Sequence, residues 1–198
     1  MAVIEIVTFP CTDAFVEDQT KFAPTAGSKP PGCLEVYHAV EKNNDKNVGC
    51  LTAVWESYEA HKALMAQPNY NQTVKTALAP VVAGTLEHLH VQNLVGELDG
   101  ALSAPVTEIC TFKVKEGAST ADALGEQVAA LGNLLRPSTF GVAWGDCIEH
   151  PGTFVALLGW SSVEAHVAAA HTEQALAIIV GMQAIADVGY KHYPFAKY

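Results

Sequence analysis

The sequence predicts an α+β chain built from two tandem β-α-β-β-α-β units. Three phrases that recur in the same order carry that prediction. "IEIVTF" (4–9) returns as "TEICTF" (107–112), with Glu second and Thr-Phe last in both. Trp-x-Ser-x-Glu-Ala-His occurs at Trp55, Ser57, Glu59, Ala60 and His61. It occurs again 105 residues later at Trp160, Ser162, Glu164, Ala165 and His166. "LEHLHVQ" (86–92) is matched to "YKHYPF" (190–195), which sets His88 against His192 and His90 against Pro194. Ordered matches at nearly constant offset read as an internal duplication. Repeat 1 is expected over 1–96 and repeat 2 over 105–198, joined by 97–104.

Within repeat 1 the first strand is expected at 3–9. A helix follows over 13–22, where Phe15 and Phe22 share one face. "APTAGSKPPG" (23–32) is a loop, because its prolines and glycines break both periodicities. Strand 33–41, the polar turn 42–47 and strand 48–56 come next. Ser57 has the chemistry of an N-cap, since its hydroxyl accepts from a free N–H of the first turn. Helical sequence runs to Gln67 and, beyond Pro68, from Tyr70 to Ala83; strand 86–94 closes the unit. Repeat 2 has strand 106–114, helix 120–135, strands 140–149 and 153–160, helices within 162–187 and strand 189–195. Its first helix carries the stripe Leu124, Val128, Leu131 and Leu135, with Thr120 as N-cap. "HPGT" (150–153) turns between its middle strands.

This order is the ferredoxin-like split arrangement, a four-stranded antiparallel sheet with helices on one face. The bare face must be covered. The second copy is expected to cover it, the two sheets packing face to face as an intramolecular α+β barrel. A further homodimer is left open.

Composition narrows the function classes. Of 198 residues, 49% are hydrophobic and 16% charged, which describes a packed chain. The net charge of −10, without a basic cluster, argues against nucleic acid and anionic membrane surfaces as partners. Five cysteines without a C-x-x-C spacing read as separate thiols, mostly small buried hydrophobes. "MAVIEIVTF" reads as a first strand rather than a signal peptide, and no apolar run approaches the ~20 residues of a membrane span. A soluble, cytoplasmic protein is expected. The absence of a Gly-rich phosphate loop, a G-x-S-x-G elbow and an H-E-x-x-H helix leaves nucleotide-dependent and serine-hydrolase activities without support.

With its element order and its strand-Trp-x-Ser-x-Glu-Ala-His phrase, the sequence resembles the dimeric α+β barrel superfamily, as two fused antibiotic-biosynthesis-monooxygenase-like domains. The resemblance covers most of both halves. It implies a pocket between sheet and helices of one unit. It also implies one of several activities: cofactor-free monooxygenase, polyketide cyclase, lyase, haem enzyme or stress-responsive protein. Fold alone does not choose among them.

Several residues are candidates for that pocket. Trp55 and Trp160 end strands just before helices; there an indole either walls a ligand pocket or plugs the strand-helix corner. His61 and His166, in the first helical turn, are placed as neutral bases or donors. His88 and His90 alternate onto one sheet face. As a metal site His-x-His lacks a visible third ligand, so no metal is expected. Tyr37 and His38 are adjacent in a strand, so one of them faces the helices; Trp144 occupies the His38 position of repeat 2. Tyr58 and Tyr70 offer phenols. His171 suggests haem only through the resemblance.

Taken with the resemblance, these residues lead to the expectation of a small-molecule enzyme of specialised metabolism without organic cofactor, which by that resemblance would oxygenate, cyclise or eliminate. The expected catalytic set is His88, His90, His38, Tyr37 and His61. Trp55, Tyr58, Tyr70, Trp144 and Trp160 would bind an aromatic or polyketide-like substrate. A His would remove a proton and a neighbouring donor would steady the enolate or phenolate. The reading from another class is a non-catalytic stress-related or ligand-carrying protein. Repeat 1 is the better host for a polar site.

Overall fold

The computed structural model describes residues 1–19, 29–41, 47–117 and 121–198. Phe22, most of the loop 23–32, most of the turn 42–47 and the cap expected at Thr120 therefore lie outside the described residues. The chain divides into two compact units, Met1–Gln92 with Ala196–Tyr198, and Asn93–Phe195.

Unit 1 runs β1 (Val3–Pro10), α1 (Asp13–Glu17), β2 (Cys33–Glu41), β3 (Val48–Trp55), α2 (Tyr58–Met65), α3 (Tyr70–Leu78) and β4 (Glu87–Gly96), the last of which ends beyond the unit. β1 lies between β3 and β4, and β2 flanks β3, all antiparallel, which gives the order β4-β1-β3-β2. Alternation along β1 sends Val3, Glu5, Val7 and Phe9 to one face. The register places Ala53 and His90 opposite Glu5, and Leu51 and His88 opposite Val7. Phe9 and Leu51 pack there with Phe15 of α1 and with Val81 and Leu78 beyond β3, so this is the helix-bearing face. Ser57 caps α2 as expected, accepting from Ala60 N at 3.2 Å. Gly32 takes φ +81°, and a Cβ there would sit 2.6 Å from that of Ala60. The small Ala of the repeated phrase thus admits the chain returning into β2.

Unit 2 opens with α4 (Leu98–Leu102), inside the stretch expected as a join. Its Ala101 and Leu102 are buried, and Ala101 O accepts from Thr107 Oγ1 at 2.7 Å. Then follow β5 (Val106–Val114), α5 (Ala121–Leu135), β6 (Gly141–Cys147), β7 (Thr153–Trp160), α6 (Val163–Ala170), α7 (Glu173–Ile185) and β8 (Ala186–Tyr193). The sheet order is β8-β5-β7-β6, position for position that of unit 1. Ser162 caps α6 through Ala165 N at 3.2 Å. Leu124, Val128 and Leu135 of the α5 stripe are buried, while Leu131 is half-buried. Gly132 in the same stripe lets α5 approach Trp144, since a Cβ there would lie 2.8 Å from the indole. A last two-residue strand, β9 (Ala196–Lys197), pairs with β2 in unit 1.

The fold is therefore α+β, with a ferredoxin-like antiparallel sheet and helices in each half. Among the described residues no helix is long and apolar enough to cross a membrane.

The α5 stripe makes a quantitative prediction. Leu124→Ala should cost about 2–5 kcal/mol in urea unfolding, through lost burial and the cavity left behind. Exposed Glu126→Ala should stay within about 0.5 kcal/mol.

Candidate functional site

Each half carries a carboxylate in the middle of an otherwise apolar strand face. Glu5 of β1 is turned toward the helices, and its side chain is only 13% exposed. A carboxylate taken out of water needs donors. Trp55, at the end of the neighbouring β3, donates its indole N–H to Glu5 Oε2 at 2.9 Å. His88 Nε2 lies 3.2 Å from Glu5 Oε1, and His61 Nδ1 lies 3.6 Å from Oε2. Burial pushes the Glu5 pKa up. The His88 hydrogen bond, the charge of His61 and the Trp55 N–H outweigh it and hold the carboxyl below its ordinary value.

Three imidazoles surround this carboxylate. His61 comes from the first turn of α2, and Trp55 stacks on it at 4.2 Å with 11° between planes. The fixed spacing in the repeated phrase has that purpose: strand end, capped turn, then a ring laid on the indole. His90, 0% exposed, places Nε2 2.7 Å from His61 Nδ1. His61 Nε2 lies 3.3 Å from Tyr70 OH. Burial, with the charge of Glu5, pushes the Tyr70 phenol up to about 12, so it stays protonated. His88 is the open member of the set, with its side chain 37% exposed.

A cavity of about 420 Å³ opens beside this cluster. Glu5, His61, His88, Tyr70 and Trp55 form its polar and aromatic end. Its other walls are largely aliphatic, among them Val36, Leu51, Met65 and Val74. Sites of this kind, apolar with a few convergent polar groups, suit small organic ligands.

Unit 2 repeats the arrangement with one change. Trp160 donates to Glu108 Oε2 at 2.9 Å, His166 Nε2 lies 3.3 Å from Glu108 Oε1, and His192 Nε2 lies 2.9 Å from His166 Nδ1. Glu108 pairs across the sheet with His192, as Glu5 does with His90. His90 is thus the counterpart of His192, and His88 is the counterpart of Tyr190. This corrects the sequence match of His88 with His192 and of His90 with Pro194 by one alternation step. Cys110 Sγ also reaches Glu108, at 3.0 Å. Burial, then the Glu108 charge and hydrogen bond, push that thiol well above its ordinary pKa. Burial lowers the His166 pKa, against the opposing pull of Glu108. The cavity here is smaller, about 290 Å³, and reaches His166, His171 and Tyr190.

Of the expected site residues, the structure gathers His61, His88, His90, Trp55, Tyr58 and Tyr70; Tyr58 meets the edge of His90 at 4.9 Å. Tyr37 is on the opposite face of the sheet and does not reach the cavity. His38 faces the helices but stands apart from the cluster, 3.2 Å from Gln19 Oε1, with its pKa lowered by burial. Trp144 does occupy the His38 position, opposite Ala156 as His38 is opposite Leu51, and it is packed in the unit 2 core. Trp160 is fully buried and off the cavity surface, where it supports Glu108. Glu5 and Glu108 were missed as functional residues, although both stand in the repeated strand phrase.

The cluster also has the composition of a metal centre. Glu5, His61, His88 and His90 each offer one ligand atom, all within 4.8 Å of one another; Glu108, His166 and His192 form a poorer set in unit 2.

Comparison with known proteins follows the fold. A provisionally designated monooxygenase from Fusobacterium nucleatum superposes with a TM-score of 0.72 at 11% identity, covering 99% of this chain and 92% of that one. A second, from Lactobacillus acidophilus, gives 0.64 at 12% identity, covering 99% and 93%. An anthrone oxidase-like protein gives 0.64 at 17%, covering 99% and 92%. The chain shares the fold of these structures over nearly its whole length. No family model and no curated protein matches the sequence. At these identities the likeness concerns the fold alone.

The lowered Glu5 pKa fixes a sign. The unfolded carboxyl, near 4.5, takes a proton more readily than the folded one. Glu5 therefore adds stability above that value, and the contribution is lost as pH falls through the folded pKa. Urea unfolding of metal-free protein should show wild type losing more stability than Glu5→Gln as pH drops below about 4.5.

Proposed function

We propose that unit 1 is the catalytic half, and that it oxygenates an aromatic, polyketide-like small molecule with dioxygen and no organic cofactor. The observation that carries this reading is the meeting of an apolar cavity with a carboxylate–imidazole pair at one end. The names of the structural neighbours, two monooxygenases and an anthrone oxidase-like protein, favour the same chemistry.

His88 is the base, because it is the cluster imidazole that is both open and on the cavity wall. Its Nε2 faces Glu5, whose charge orients the ring and stabilises the imidazolium once a proton arrives. The substrate loses an acidic C–H proton to His88, leaving a carbanion delocalised as an enolate or phenolate. Tyr70, a protonated phenol, is the donor that steadies the oxyanion. The carbanion passes one electron to dioxygen, and the two radicals join as a C–O–O⁻ group. The imidazolium returns its proton, and loss of water leaves a carbonyl. The net change is CH₂ + O₂ → C=O + H₂O. The aliphatic walls keep water from the carbanion.

An anthrone is the probe substrate, followed by dioxygen uptake and product mass. Wild type should add one oxygen atom and lose two hydrogens. His88→Ala should lower kcat/KM by about 10²–10⁴-fold, and Glu5→Gln in the same direction. His192→Ala, in unit 2, should leave turnover unchanged. Cyclised product without oxygen uptake would replace the oxygenation step by an internal attack. Tight binding with the ligand recovered unchanged would make unit 1 a carrier and end the enzyme reading.

A further inference from the structure

We propose that Glu5, His61, His88 and His90 form a binding site for one divalent transition-metal ion of the zinc class. The site goes beyond the oxygenation reading and does not depend on it.

The ligand atoms converge from different parts of the chain. β4 supplies His88 and His90 from alternate positions on one face. β1 supplies Glu5, opposite His90, and the first turn of α2 supplies His61. The facing atoms are His61 Nδ1, His88 Nε2, His90 Nε2 and the Glu5 carboxylate. Ligand bonds of about 2.0–2.2 Å around a tetrahedral ion place neighbouring ligand atoms roughly 3.3–3.5 Å apart. The contacts already present, at 2.7, 3.2 and 3.6 Å, bracket that spacing. All four ligand atoms lie within 4.8 Å of one another, so rotation of the imidazole rings is the movement that would draw them onto one ion.

Chemistry agrees with geometry. Three imidazoles and a single carboxylate suit zinc, copper, nickel or iron, and suit calcium or magnesium poorly. One carboxylate also offsets half of the ion's charge. The outer partners that such sites need are present. Trp55 N–H holds Glu5 Oε2, and Tyr70 OH faces the outer nitrogen of His61, leaving Nδ1 directed inward. Glu5, His61 and His88 lie on the wall of the 420 Å³ cavity, so an ion has a path in.

Unit 2 is a control built into the same chain. Tyr190 stands where unit 1 has His88, and the set falls to Glu108, His166 and His192. One strong site per chain is therefore expected, not two. An imidazole that gives Nε2 to the ion keeps its proton on Nδ1, the nitrogen that would otherwise act as base. An ion bound here would withdraw His88 from base duty, so zinc should inhibit metal-free oxygenation.

The test uses the full chain, stripped with chelator and titrated with Zn²⁺ by calorimetry and with Co²⁺ by visible absorption. Expected are one tight ion per chain, the intense d–d bands of four-coordinate Co²⁺, and a melting temperature that rises with free metal. Affinity should fall at least about 100-fold in His88→Ala and in His90→Ala. It should hold in His38→Ala and His192→Ala. His88 is exposed, so its variant tests binding without threatening the fold; circular dichroism checks this. Absence of a tight ion, or binding that survives His88→Ala, overturns the proposal. Binding lost in His192→Ala places the ion in unit 2 and overturns it equally. Neither result bears on anthrone turnover by the stripped protein, so the two readings fail separately.

Discussion

A carboxylate held inside a sheet is the constraint on which the rest of this molecule depends. Glu5 and Glu108 sit on strand faces that are otherwise apolar. Buried without donors, each would cost several kcal/mol or take up a proton. The chain answers with an indole from the adjacent strand and imidazoles from the next helix and from the last long strand of each repeat, β4 or β8. The Trp-x-Ser-x-Glu-Ala-His phrase is the sequence form of that answer. Trp reaches back to the carboxylate, Ser starts the helix, Ala clears space, and His returns over the indole. The phrase and the strand glutamate form one unit of structure, which is why both recur.

The duplication, the order of elements along the chain and the Ser caps were legible in the sequence because each rests on local pattern. The β-α-β-β-α-β order needs only periodicity and breakers. Ser57 and Ser162 needed only a hydroxyl before a helix. What depends on pairing between distant strands was harder. A match of His88 with His192 sets β4 and β8 two residues out, one step of alternation, which keeps the face and loses the partner. Only the pairing of Glu108 with His192 shows that His90 is the shared residue. Tyr37 was a failure of another kind. Adjacent strand residues face opposite ways, and nothing local says which of Tyr37 and His38 takes the helix side.

Glu5 was visible and passed over. Its repeated place in "IEIVTF" and "TEICTF" served as evidence of duplication when it was also evidence of chemistry. An ionisable residue inside an apolar strand face must be paid for by neighbours. Two such residues at equivalent positions mark where those neighbours gather. The histidines drew attention by their residue type, but the glutamate explains why they are there.

The exchange of His88 for Tyr190 has a genetic meaning. A protein that obtains two copies of a unit by pairing identical chains must accept every substitution twice, once in each partner. In a fused pair one codon changes one copy. Half of the molecule can then lose a reactive side chain while the other keeps it, at no cost to the shared scaffold. Inheritance of that kind permits a division of labour within a single gene product that symmetric assembly forbids.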